Sequence, residues 1–422
     1  MKKTVSPGKY AGIIYIPSSK SDTQRAILSA ALCKGTSILS NIGNSNDEVA
    51  MLQAVQKLGA KSVNLESNKT EITGIQEFPA DVKIDMHESG LGFRLITNVC
   101  AAHTGKYEIS GTGSLAKRPM HFFEEILPQF GAKVKSQNGY IPIEIAGPMH
   151  GNEISLDGSL SSQYLSGLLM ALPLLENESR LSVENLKSIP YVQMTLNTLA
   201  QFGIEIQHQN FEQFVIAGKQ KYLPTNYEIE GDWSAASYWL VASALGQNIQ
   251  ISGLSLTSLQ ADKAILKAFE AANCTIVFDE NQISIEGNER KSFQFDATHC
   301  PDLFPALTTF AALCDGRSDI KGISRLKYKE SDRGQVLKSE FEKLGVNIVL
   351  NEQDDLMHIY GKNSIEGGKV NSHNDHRIAM CLAIAGMFAE AEIEIDEAES
   401  VGKSYLNFWE DFTSIGSLRQ AQ

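Results

Sequence analysis

Six short stretches of this chain gather groups that hold anions or move protons. The first, Pro17-Ser-Ser-Lys20-Ser21-Asp-Thr-Gln-Arg25, follows an apolar run from Gly12 to Ile16 and opens a helical periodicity at Ala26 to Leu32. A strand-to-helix turn of this composition would set backbone N–H groups, the Ser21 hydroxyl, Lys20 and Arg25 around one anion. A merely capped surface helix would use the same residues, and the G-x-x-x-x-G-K frame of a Walker loop is absent. The second stretch, Asp157-Gly-Ser-Leu-Ser161-Ser162-Gln163, puts two hydroxyls and an amide at another expected helix start, where an ordinary serine cap is the plain alternative. The other four are Lys117-Arg118-Pro119, Lys327-Tyr-Lys329-Glu330-Ser-Asp-Arg333, Asn374-Asp-His-Arg377 and Gly402-Lys403. Each by itself reads as a solvated basic face. Together they describe a site for a polyanion, with Lys329 and Arg333 on one helix face at i, i+4 beside Glu330 if that stretch is helical.

The elements that must position these groups recur. A short amphipathic helix, a stop residue, a strand, a polar turn and a second strand appear around Gly59, Gly131, Gly203, Asn273 and Gly345, and a truncated copy ends at Gly416. The steps between stop residues are 72, 72, 70, 72 and 71. Gly or Asn suits the stop because the left-handed conformation there costs other side chains more, and the alternation in Val-Lys-Val and Ile-Glu-Ile predicts half-buried strands. Units of this length are long for a solenoid repeat, which makes a stacked array of helices or blades the weaker reading. Six α/β units in two groups of three are expected instead, with a boundary near Gly231. Two domains also suit 422 residues, more than one hydrophobic core usually serves.

Composition bounds the partners. A formal charge of −13 argues against nucleic acid or an anionic membrane as the main partner, yet permits local positive potential in one cleft. The six cysteines have no metal-ligand spacing and read as buried thiols of a reducing compartment. Lys2 and Lys3 precede a polar stretch and an apolar run too short for a secretory h-region, and no run of about 18 apolar residues spans a bilayer. The cytoplasm is expected. No cofactor or metal is implied, and His373 with His376 reads as structural.

The ordered motifs PSSKSDTQRAILSAAL, DGSLSSQYLSGLLMALPL, PDLFPAL, KESDR, NDHRIAM and GKSY resemble those of the 5-enolpyruvylshikimate-3-phosphate synthase family along nearly the whole chain. The resemblance implies an enolpyruvyl transferase fold: two α/β domains, each of three βαβαββ-type units, together an inside-out α/β barrel. It assigns segments 1–18 plus 231–422 to one lobe and 19–230 to the other, with an active site in the cleft. The implied activity moves the enolpyruvyl group of phosphoenolpyruvate onto the 5-hydroxyl of shikimate 3-phosphate, in the pathway to chorismate and the aromatic amino acids, and a monomer that glyphosate targets. By the same resemblance shikimate 3-phosphate contacts Lys20, Ser21, Arg25, Ser161, Ser162, Ser188, Asp302 and Lys329. Phosphoenolpyruvate contacts Lys20, Gly90, Arg118, Gln163, Arg333, Arg377 and Lys403. Asp302 is the implied base, Glu330 with Lys20 the implied proton donors, and Lys403 a further catalytic cation.

Three departures from the family pattern stand out. Ser18 replaces a glycine before Ser-Lys-Ser, the loop usually written N-A-G-T-A-M-R reads Glu88-Ser-Gly90-Leu91-Gly-Phe-Arg94, and Ile189 replaces a lysine before Pro190. The sister enzyme that acts on UDP-N-acetylglucosamine usually carries a reactive cysteine before Arg-Pro, and Gly111 to Pro119 has none. A phosphometabolite-binding protein without turnover is the other rival, and it would have no need of an acid and a base.

Overall fold

The computed structural model describes residues 1–66, 68–279, 281–287 and 289–416. The chain forms two compact units, one of Met1–Pro17 with Gly231–Gln422 and the other of Ser18–Glu230. Ser18 thus belongs with the continuous unit.

The continuous unit holds three four-stranded sheets built to one plan. In the middle one, strand Asp81–Asp85 runs parallel to Gly105–Ser110, which pairs antiparallel with Tyr140–Gly147, and Lys133–Gln137 closes the hairpin at the edge. Glu153–Asp157, Ser179–Glu184, Gln213–Ile216 and Gln207–Gln209 repeat the pattern. So does Thr36–Ser40 with its hairpin, but its parallel neighbour, Asn226–Glu228, comes from the far end of the unit. The segmented unit follows the plan with Gln294–Asp296 beside Gly316–Lys321. There the amino-terminal strand Ala11–Tyr15 supplies the parallel neighbour of Asn248–Ser252, and Lys3–Val5 pairs with Ile393–Asp396 in a three-stranded sheet. Six βαβαββ-type units result, the sixth lacking its closing hairpin.

Burial separates two kinds of helix. Helices of the first kind, Lys20–Leu32, Gly90–Ala101 and Ser162–Ala171 in one unit and Trp233–Ala244, Phe304–Ala312 and His376–Gly386 in the other, are buried almost all round. Sequences such as Phe304-Pro-Ala-Leu-Thr-Thr-Phe-Ala-Ala have no polar face to give to water, so they belong inside. The sheets enclose them and keep one wet face, as the alternating burial of Glu153–Asp157 shows. The remaining helices are the amphipathic ones read from the repeat. Gly59, Gly131, Gly203, Asn273 and Gly345 all have positive φ, so the repeat's punctuation is a backbone requirement.

All six cysteines are buried free thiols. Among the described residues no helix is long and apolar enough to cross a membrane.

Candidate active site

The cap residues of the six inner helices are Ser19, Ser89, Ser161, Asp232, Leu303 and Asp375. Five of them accept a backbone N–H of the first turn through their side chain, which fixes where each helix starts. Most of the candidate residues stand at or just beside these starts. Unpaired N–H groups and the positive ends of the helix dipoles therefore favour negative charge at the same places.

In the continuous unit, side chains tie the three starts together. The Ser89 hydroxyl donates to Gln24 Oε1 at 2.9 Å, and Arg94 Nη1 donates to Gln163 Oε1 at 2.8 Å and to the Gly90 carbonyl at 3.0 Å. Arg94 also stacks over Tyr164, 4.8 Å from the ring centre. Arg94 was not among the residues assigned by resemblance. It stands one helical turn after Gly90 on the same helix. Lys20 Nζ lies 3.0 Å from the Asp47 carboxylate, both side chains largely buried. Arg118 is only 6% exposed whereas Lys117 is exposed, which separates one of the Lys-Arg pair from the surface. A Cβ added at Gly90 would stand 2.6 Å from Arg118 Nη1 and 3.0 Å from Arg94 Nη1. Glycine is required there for two guanidinium groups to approach the helix start.

Ser161 caps its helix, and Ser162 is buried in the first turn. Ser188 is buried with φ of 55°, directly before helix Ile189–Gln201. Arg25 is turned into the protein: Nε donates to Thr195 Oγ1 at 2.8 Å, Nη1 to the Ser21 carbonyl at 2.7 Å and Nη2 to the Tyr191 carbonyl at 3.2 Å. Burial lowers its pKa to about 10. Its visible work is to tie the Ser21 backbone to helix Ile189–Gln201, the helix that Ser188 precedes.

The segmented unit concentrates charge around Asp302, just ahead of helix Phe304–Ala312. This carboxylate, with a side chain 20% exposed, receives Lys329 Nζ at 3.1 Å, Arg333 Nη1 at 2.6 Å and Arg377 Nη2 at 3.1 Å. Burial pushes its pKa up, but Arg377, Lys329 and Arg333 outweigh that and hold it well below the ordinary carboxylate range. Arg333 has no exposed side-chain surface. It also grips Asp375 through Nε at 2.8 Å and Nη2 at 3.3 Å, and it pairs with Glu330. Burial would lower the Arg333 pKa; Asp375, Glu330 and Asp302 raise it instead.

Asp375 is fully buried and also accepts from the Ser331 hydroxyl and the Arg377 backbone N–H, both at 3.0 Å. Lys403 Nζ donates to the Asn374 carbonyl at 2.6 Å. His373 Nε2 lies 2.8 Å from Glu340, and His376 is buried at the start of its helix.

The stretch from Lys327 to Asp332 is turn and bend, and the helix begins at Arg333. The condition for an i, i+4 pair is therefore not met, and Lys329 and Arg333 share no helix face. Asp332 caps the helix by accepting the Gln335 N–H at 3.4 Å, and the two cations meet through Asp302 instead. Behind them lies Asp262, buried, accepting the Ser234 hydroxyl. Burial, with the Asp302 charge, raises its pKa to about 7 against the pull of Arg377.

The sequence matches the family described as EPSP synthase (3-phosphoshikimate 1-carboxyvinyltransferase) over residues 5–412. The chain belongs to the EPSP synthase family. A Clostridium perfringens relative named 3-phosphoshikimate 1-carboxyvinyltransferase is 37% identical over 427 residues, covering 100% of both chains. A Clostridium acetobutylicum relative of the same name is 37% identical over 417 residues, covering 98% of this chain and 96% of that one. The structure of EPSP synthase from Acinetobacter baumannii superposes with a TM-score of 0.81 at 26% identity, covering 99% of this chain and 98% of that one.

Proposed function

We infer that this enzyme transfers the enolpyruvyl group of phosphoenolpyruvate to the 5-hydroxyl of shikimate 3-phosphate and releases phosphate, within aromatic amino-acid biosynthesis. The observation that carries the chemistry is Asp302, one carboxylate held by three cations, one of them a wholly buried arginine. At neutral pH such a group is ionised and so in the protonation state of a base. Its low pKa makes it a weak base until the cations turn toward a substrate anion, which would raise its proton affinity during binding.

In the addition step the 5-oxygen bonds to C2 of the enol phosphate as the C2–C3 double bond opens, its proton passes to Asp302, and C3 takes a proton from Glu330 or Lys20. The tetrahedral phospho-ketal then loses a proton from C3 and expels phosphate, restoring the C2–C3 double bond in the product. Arg118, Arg333, Arg377 and Lys403 would hold the carboxylate and phosphate of the donor and stabilise the departing charge, with Gln163 and the Gly90 backbone beside them. Lys20, Ser21, Ser161, Ser162, Ser188 and Lys329 would hold the acceptor's phosphate and hydroxyls, and Arg25 would order that face from behind. The enzyme is proposed to act as a cytoplasmic monomer without metal or cofactor.

The test is phosphate release from phosphoenolpyruvate in the presence and absence of shikimate 3-phosphate. Release that requires both substrates is expected. Tight binding of either without release would favour a binding protein and overturn the transferase reading.

A further inference from the structure

The segments that carry Gly90 and Arg118 are laced together by three bonds: Met86 N–H to the Ser110 carbonyl at 3.0 Å, Thr112 N–H to the His87 carbonyl at 2.7 Å, and Ser114 N–H to Glu88 Oε2 at 2.9 Å. The first two are backbone bonds that any sequence could make. The third depends on a side chain, and it reaches the turn Gly113–Lys117 immediately ahead of Arg118. Ser114 in turn holds Arg118, whose Nη2 donates to the Ser114 hydroxyl at 3.4 Å. Gly113 has φ of 57°, and a Cβ on it would stand 2.4 Å from the Glu88 carboxyl carbon, so the carboxylate is packed flat against the turn.

From this geometry we propose that Glu88 is a positioning residue: it fixes the Gly113–Lys117 turn and through Ser114 holds the Arg118 guanidinium over Gly90, where the donor's anionic groups bind. The physical reason is reach. A carboxylate hydrogen-bonded to a backbone N–H makes one of the stronger tethers available to a loop. The side chain must be as long as glutamate to cross from one segment to the other, whereas its charge serves only the strength of the bond. The effect falls on affinity for phosphoenolpyruvate rather than on the chemical step, because the Glu88 carboxylate acts on Arg118, a donor-binding group, through Ser114.

This inference rests on the assignment of Arg118 to the donor, and the experiment separates the two. With shikimate 3-phosphate saturating, kcat and the KM for phosphoenolpyruvate are measured for E88A, E88D, E88Q, R118A and E88A/R118A, each with its melting temperature. E88A and E88D should raise KM about tenfold, the worth of roughly one hydrogen bond to a charged group, with kcat nearly unchanged. E88Q should stay within about threefold of the parent, since its carbonyl oxygen still accepts the Ser114 N–H and a neutral bond is only about half as strong. E88A should add nothing in the R118A background. Unchanged KM in E88A and E88D, equal damage in E88Q and E88A, or additive effects in the double variant would each overturn the proposal. An R118A enzyme with normal KM would instead remove the assignment of Arg118 on which it stands.

Discussion

At the scale of single residues, the proposed roles of Lys20 and of the charge cluster around Arg333 can be tested through activity and stability. Lys20→Met and Asp302→Ala should fold and lose on the order of 10²–10⁴ in turnover, the usual contribution of an acid or base; near-normal steady-state rates in either would refute their roles. Asp375→Ala is a different case, because it leaves the fully buried Arg333 without its best partner. A loss of about 3–5 kcal/mol in urea unfolding is expected, as for a buried pair broken from one side. Asp262 gives a pH signature. Its pKa rises to about 7 on folding, so the folded state binds more protons than the unfolded one between about pH 4 and 7, and its contribution falls as pH rises through that window. Asp262→Asn should therefore flatten the stability profile across the window and gain relative to the parent at pH 8. A profile that kept its slope in the variant would place the titration elsewhere. Asp302 acts in the opposite sense: its depressed pKa supplies stability at pH above the ordinary carboxylate range, lost as the medium becomes strongly acidic.

At the scale of elements, the sequence made the repeat readable because helix stops have a backbone cost. Gly59, Gly131, Gly203, Asn273 and Gly345 are left-handed, and only Gly and Asn adopt that conformation at little expense. Gly59 has room for a Cβ, with its nearest contact at 3.5 Å, so Gly59→Ala measures the conformational cost alone. About 1 kcal/mol is expected, and Gly59→Asn should cost about half as much, following the natural Asn273; equal costs in urea titrations would deny the left-handed explanation.

Less of the candidate site was legible. The stretches around Lys20, Ser161 and Asn374 announced helix starts through their cap residues. Asp375 was given no role because a cap aspartate looks the same whether or not an arginine lies behind it, and Arg94, though visible in the loop after Glu88, was given none because a lone arginine in an apolar helix carries no periodic signal. The condition that would have put Lys329 on a helix face with Arg333 was not met, because a spacing of four says nothing about where a helix begins. Cap Asp332 marks that point only once its bond to Gln335 is seen.

At the scale of the whole molecule, the two units differ in self-sufficiency. Ser18–Glu230 contains every strand of its three sheets, whereas Gly231–Gln422 lacks two strands that residues 1–17 supply. A fragment of residues 18–230 should unfold cooperatively on its own. A fragment of residues 231–422 should do so only when a peptide of residues 1–17 is added, since the parallel edge of Asn248–Ser252 is otherwise bare. Circular dichroism melts of the two fragments, with and without the peptide, check this; a cooperative melt of 231–422 alone would contradict it.

That borrowed pair of strands also dictates an order of events during synthesis. Residues 1–17 leave the ribosome ahead of residues 18–230 yet belong to sheets completed only by residues 231–422, so a whole intervening body can mature while they wait. Nascent chains halted shortly after residue 230 has emerged should therefore resist protease across the intervening body yet be cut readily near their own beginning, and gain protection there only when translation resumes.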